Sequence, residues 1–162
     1  MNITVTKNPN PGTLPPADQL GFGSIFTDHM FLMDYSADQG WHDARIVPYG
    51  PITLSPAASV FHYGTEVFEG LKAYRRPDGK VQLFRPWENM KRLNRSCERL
   101  GLPQVNEEDA LEAVKALVAL DQRWVPSEEG TSLYIRPFLY GTDPTLALHG
   151  VHEATFAVIL SP

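Results

Sequence analysis

Runs of strand-forming residues stand on both sides of a pair of amphipathic helices, and this order restricts the fold more than any other feature of the chain. Ahead of the helices lie His29-Met30-Phe31-Leu32-Met33-Asp34-Tyr35 and Arg45-Ile46-Val47-Pro48-Tyr49, separated by a loop around Ser36 to Asp43. The first run is too apolar to be half-exposed. Leu71 to Tyr74 and Lys80 to Phe84 then flank Pro77-Asp78-Gly79, where the preset φ of proline and the permissive φ of glycine predict a hairpin. Behind the helices come Ser132 to Tyr140 and Ala154 to Leu160. Helices segregated onto one side of a mainly antiparallel sheet follow from strands, a helix pair and strands in that order, so the expected class is α+β.

The helices carry their own punctuation. Pro86 suits a first helical turn, and Trp87, Met90, Leu93, Cys97 and Leu100 recur at spacings of three and four, which predicts one apolar stripe. Gly101 ends that helix and Pro103 prevents its resumption. Asn106 caps the next, with Glu107, Glu108 and Asp109 at its positive end, Leu111, Val114, Leu117 and Val118 facing inward, and a stop near Asp121.

A length of 162 residues, 43% of them hydrophobic and 20% charged, fits one domain with a real core. Residues 1–20, rich in Pro, Asn and Thr, are expected to form an extended arm, surface-lying or disordered, with the domain proper at 21–162. The arm lacks both the apolar core of a secretory signal and the arginines of a transit peptide, and no stretch is apolar for long enough to cross a bilayer. The net charge of -5 speaks against nucleic acid. Cys97 stands alone, so no internal disulfide can form; the expectation is a cytoplasmic protein and a buried, inert thiol. The chain stops directly behind Phe156-Ala157-Val158-Ile159-Leu160 and reads as truncated.

Chemistry concentrates in Ser132 to Tyr140. Leu133, Ile135, Pro137 and Leu139 share one face, and Ser132, Tyr134, Arg136, Phe138 and Tyr140 the other, which sets a guanidinium among aromatic rings. This arrangement suits an anion clamp, because arginine offers a rigid fork of donors. A solvated face with arginine stacked on aromatics is the commoner outcome, and the residues alone leave both open. Arg92, Arg95 and Arg99 fall in one helical sector, which usually means a solvated face, and spacing alone prefers none of them as a phosphate ligand. His29, His62, His149 and His152 lack the helical zinc pattern, so no metal is expected. Glu66 and Glu69 read as part of a solvated turn, and no serine sits in a nucleophile elbow.

Taken together, Phe26-Thr27-Asp28-His29-Met30, Phe61-His62-Tyr63, Val67-Phe68-Glu69-Gly70-Leu71-Lys72-Ala73-Tyr74, Leu83-Phe84-Arg85-Pro86-Trp87-Glu88-Asn89-Met90 and Gly130-Thr131-Ser132-Leu133-Tyr134-Ile135-Arg136-Pro137 resemble branched-chain amino-acid aminotransferases, in the order of that family's N-terminal small domain. The resemblance spans roughly residues 20–162. It implies a fold-type IV enzyme dependent on pyridoxal 5'-phosphate, a homodimer, and amino-group transfer between leucine, isoleucine or valine and 2-oxoglutarate by a ping-pong mechanism. By the same resemblance Arg92 binds the cofactor phosphate, and Phe22, Phe68 and Tyr134 line the pocket for an aliphatic side chain. Tyr63 and Leu148 reach the neighbouring subunit's pocket, although the loop Leu146 to His152 departs from the family pattern. Arg136 meets the distal carboxylate of glutamate and otherwise turns to water or Tyr63. The family's Schiff-base lysine lies in a second domain, and none of Lys7, Lys72, Lys80, Lys91 or Lys115 matches it, so this chain by itself is expected to be inactive. A D-amino-acid aminotransferase or aminodeoxychorismate lyase on the same fold, and a non-catalytic module that dimerises or binds metabolites, are the alternatives.

Overall fold

Strand pairing follows the apolar runs. The computed structural model describes residues 1–162, with β1 (Thr4–Val5), β2 (His29–Ser36), β3 (Gly40–Pro48), β4 (Glu66–Phe68), β5 (Leu71–Arg75), β6 (Val81–Leu83), β7 (Leu133–Gly141) and β8 (Glu153–Ser161) in one sheet. The spatial order is β1-β3-β2-β8-β7-β5-β6, with β4 also pairing β7. Only the short β1–β3 contact is parallel, and the class is α+β as the element order predicts. The β2 run, flanked by β3 and β8, is largely buried.

Helices α1 (Ser59–Tyr63), α2 (Pro86–Leu100) and α3 (Glu107–Leu120) complete the fold. In α2 only Met90, Leu93 and Cys97 of the expected stripe are buried; Trp87 and Leu100, at its two ends, are exposed. In α3 the Asn106 side chain accepts from the backbone N–H of Glu108 and Asp109, at 2.9 and 3.1 Å. Leu111 is only partly buried there, and Ala110 and Ala113 take the inward positions that let α3 approach closely. One core of 26 buried residues joins both helices to Phe31, Ile46, Leu133, Ile135, Leu139 and Phe156 of the sheet. Each such large side chain contributes about 1.5–3 kcal/mol on burial.

The segment read as a loop from Ser36 to Asp43 is mostly strand. Tyr35 pairs with Trp41 and Ser36 with Gly40, the two rings lie 5.2 Å apart, and Gly40 at φ 71° helps to make the tight turn around Ala37, Asp38 and Gln39, while a bulge leaves Asp43 unpaired. Residues 1–20 lie against the sheet edge. Thr4 and Val5 pair with Arg45 and Ile46, the Asn8 N–H donates to His29 Nε2 at 2.8 Å, and the Gly12 N–H donates to Asp28 Oδ1 at 2.6 Å. Asp28 also accepts from Trp124 Nε1 at 2.8 Å and Arg123 Nη2 at 2.6 Å, while His29 Nδ1 meets Asp121 at 2.6 Å. The arm, the start of β2 and the end of α3 are thus tied at one corner.

Cys97 is fully buried, and burial pushes its thiol up to about 11. Fewer than about one thiol in a thousand is then ionised at pH 8. The expected result is no reaction with a thiol-specific chromogenic disulfide at pH 8 until denaturant is added. Rapid labelling of the folded chain would show that α2 opens.

Candidate functional site

The site is organised by a break in one strand pair. Phe68 pairs with Phe138 and Leu71 with Ile135, a register that carries through and sets Glu69 and Gly70 opposite Pro137 and Arg136. Proline has no N–H to donate, so the ladder lapses there, and only the bond from the Glu69 N–H to the Pro137 carbonyl remains, at 2.8 Å. Side chains alternate across the sheet, so Glu69 points toward α2, while Phe68, Arg136 and Tyr134 share the opposite face.

On that opposite face four of the residues singled out from the sequence meet. The Arg136 guanidinium carbon lies 4.3 Å from the Phe68 ring centre and 5.3 Å from that of Tyr134. Its Nη2 donates to the Tyr134 hydroxyl at 2.8 Å and its Nε at 3.2 Å. Tyr134, not Tyr63, is therefore the partner of the resting guanidinium, because it stands two residues along the same strand face. Phe22 packs edge-on against Tyr134 at 5.1 Å. Phe22, Phe26, Tyr134, Arg136, Ile159 and Ser161 line a mainly apolar cavity of about 230 Å³, whose polar groups are the arginine fork, the phenol and the Ser161 hydroxyl. Phe22, which lines the cavity, is 73% exposed, so the pocket is open on that side.

Below the sheet, Arg92 of α2 is held by Glu69. Nη2 donates to Glu69 Oε2 at 2.8 Å and Nε to Oε1 at 2.5 Å, while Asn89 Nδ2 donates to the same carboxylate at 2.9 Å. Glu69 is not part of a solvated turn: its side chain is only 4% exposed, whereas that of Arg92 is 60% exposed. Burial alone would raise the pKa of Glu69, but hydrogen bonds from Arg92 and Asn89 and the charge of Arg92 outweigh it and leave the carboxyl below its ordinary value. The hydrogen bonds and charge of Glu69 in turn raise Arg92. A fixed guanidinium with one nitrogen still free faces a groove shared with Arg95, Ser96, Glu98 and Arg99. The free nitrogen of Arg92 is a donor that suits a phosphate oxygen, while Arg95 and Arg99 share the groove with the Glu98 carboxylate as a solvated helix face.

Glu69-Gly70 links the two faces. The Gly70 carbonyl accepts from Asn89 at 3.2 Å on the helix side. On the other side a Cβ at Gly70 would meet the Tyr134 hydroxyl at 2.5 Å, so only glycine lets the tyrosine lie across it. The sequence held a trace of this pair: a carboxylate beside a glycine between two short strand runs, and a proline within the later strand run, Ser132 to Tyr140.

Tyr63 and Leu148 lie in a second group. The Tyr63 hydroxyl donates to the Leu146 carbonyl, which joins the end of α1 to the loop between β7 and β8, and Leu148 in that loop is 81% exposed. Neither touches the Arg136 pocket within this chain.

No family model matches the chain. It is 54% identical over its full length to "Branched-chain-amino-acid aminotransferase 2" of Bacillus subtilis. It spans only 44% of that relative's length. Among solved structures it is similar to a branched-chain aminotransferase of Thermoproteus uzoniensis with norvaline, at 26% identity and a TM-score of 0.64, covering 83% of this chain and 41% of that one. A second solved branched-chain aminotransferase, complexed with N-(5'-phosphopyridoxyl)-L-glutamate, is 26% identical with a TM-score of 0.54, covering 78% and 39%.

Proposed function

We propose, from the premise that this chain has the sequence and fold of a part of the branched-chain aminotransferases, that it forms the substrate-selecting wall of a transaminase moving amino groups between leucine, isoleucine or valine and 2-oxoglutarate. The observation that carries the reading is Arg136 in a mainly apolar cavity, braced by Phe68 and by the Tyr134 hydroxyl. An aliphatic side chain fits against Phe22, Phe68 and Tyr134, and a distal carboxylate fits the arginine fork. The complexes of the two solved relatives, one with norvaline and one with phosphopyridoxyl-glutamate, support both halves.

Pyridoxal phosphate supplies, when bound, the electron sink that amino-group transfer needs. In this chain Arg92 holds its phosphate, Glu69 holds Arg92, and Asn89 holds the Glu69 carboxylate. The Schiff-base lysine is assigned to the portion of the relatives' length that this chain does not span. Tyr63 and Leu148, projecting away from the Arg136 pocket, are assigned to the pocket of a second subunit, so the working form is a homodimer. A cytoplasmic location accords with the single buried thiol and with the lack of any helix long and apolar enough to cross a membrane.

The test is a protein of the relatives' full length, assayed for cofactor absorbance and for transfer from L-leucine to 2-oxoglutarate. Activity with leucine supports the reading. Activity confined to D-alanine or to aminodeoxychorismate would transfer it to another enzyme of the fold, and a colourless, inactive full-length protein would leave only a binding module. In the same protein Arg92→Ala is expected to weaken cofactor binding by roughly one to two decades, the worth of one charged hydrogen bond. Glu69→Gln is expected to weaken it less, since Arg92 itself remains and a neutral amide oxygen can still accept one of its N–H groups. Titration followed by cofactor fluorescence checks both, and unchanged affinity in Arg92→Ala removes that residue from the site.

A further inference from the structure

The loop between β7 and β8 brings together three side chains that the proposed transaminase site does not use. Asp143, just beyond β7, is buried; its Oδ1 accepts the His152 N–H at 3.0 Å, and its Oδ2 is buried with no partner. A carboxylate oxygen so placed is costly unless a cation or donor answers it. His149 and His152, both exposed, stack above it with ring centres 4.8 Å apart and planes 18° apart. Nδ1 of His149 lies 2.6 Å from the Gly150 carbonyl, which places the proton on Nδ1 and leaves the Nε2 lone pair free. One ligand atom from each of the three residues lies within 4.8 Å of the other two.

Two imidazoles and one carboxylate suit a borderline transition metal rather than magnesium or calcium, which prefer oxygen ligands alone. Tetrahedral zinc with bonds of about 2.0–2.1 Å needs ligand atoms about 3.3 Å apart. The contraction of roughly 1.5 Å is within reach of χ rotations in two exposed histidines, whereas Asp143 is already fixed by its bond to His152 and by the Ser59 N–H that its carbonyl accepts. The other histidine-carboxylate group, Asp28, His29 and Asp121, is different: its carboxylates and ring nitrogens are already taken up by hydrogen bonds.

We propose that Asp143, His149 and His152 form a site for one zinc-class divalent transition-metal ion, with a fourth position left to water. The ion ties both ends of the loop that carries Leu146 and Leu148, the loop that Tyr63 already touches from α1. Nothing in this argument depends on the transaminase reading.

The experiment titrates the metal-free chain with zinc chloride by calorimetry at pH 7.5, and repeats the titration with cobalt(II) to read coordination from its visible absorption. One equivalent should bind, with tetrahedral cobalt bands, and excess magnesium or calcium should not displace it. His149→Ala and His152→Ala, both at exposed positions that the fold does not need, should each weaken binding at least tenfold, and Asp143→Asn likewise if it folds. His62→Ala, a histidine outside the three proposed ligands, should bind as the unmodified chain does. Failure to bind one equivalent, or binding unaltered by both loop variants, would overturn the proposal.

Discussion

Replacing Arg136 with methionine in the full-length protein is expected to lower kcat/KM for glutamate and 2-oxoglutarate by roughly ten- to a hundredfold while leaving leucine little changed. The reason lies in what the fork touches. At rest it donates to the Tyr134 hydroxyl and stacks on Phe68, leaving one nitrogen unused toward the cavity shared with Phe22 and Phe26. A distal carboxylate adds a charge-assisted bond of about 1.5–3 kcal/mol, which is where the expected factor comes from. Leucine offers methyl groups there and gains nothing from the charge. Methionine keeps most of the packing against Phe68, so a loss confined to the dicarboxylate substrates would separate recognition from structure. The two half-reactions must be followed separately by single-turnover absorbance, since a coupled assay mixes them. Equal losses with leucine and glutamate would mean that Arg136 serves mainly to brace Phe68 and Tyr134, and dual recognition would have to be abandoned.

Asp28→Ala is expected to destabilise the chain by about 2–4 kcal/mol, which for a chain of this size lowers Tm by roughly 5–15 °C. Four donors converge on this carboxylate: the Gly12 N–H, Trp124 Nε1, and Nε and Nη2 of Arg123. Without it the buried indole N–H goes unpaired, whereas the partly exposed Arg123 can turn to water, which keeps the loss below that of a fully buried ion pair. The pH dependence carries a definite sign. Burial would raise the Asp28 pKa, but the bonds from Trp124, Gly12 and Arg123 outweigh it, and the folded value lies below the ordinary 3.8. The unfolded chain therefore binds the proton more readily, so the stabilisation is fully present above that ordinary value and fades as pH falls through the lowered one. Glu69 behaves in the same way relative to 4.5. Thermal melts should show a constant gap between the unmodified chain and Asp28→Asn from pH 7 to about pH 5, narrowing below about pH 4. A gap that widened on acidification would refute the assignment.

Local chemistry determined most of the elements. Pro77-Asp78-Gly79 could hardly be anything but a turn, Asn106 could cap a helix within its own next three residues, and the alternation from Leu133 to Tyr140 placed Tyr134 and Arg136 on one face. These outcomes depend on φ preferences, on hydrogen bonds a few residues long and on a period of two, all of which are written in the order of the residues. The motifs around Phe68, Arg92 and Arg136 pointed to the family in the same linear way. Tertiary structure decided what depends on partners distant in the chain. Glu69 became a buried anchor because the register of β4 and β5 against β7 puts it opposite Pro137 and above α2, where Arg92 and Asn89 wait 20 or more residues away. Asp28 became a corner post because Arg123 and Trp124, just past the end of α3, lie beside it, 95 and 96 residues later in the chain. Asp143 is buried where the end of β7 meets α1 and the approach to β8, its carbonyl accepting from Ser59 and its Oδ1 from His152. The desolvation that sets the charge of a carboxylate arises only when the chain brings those remote segments together.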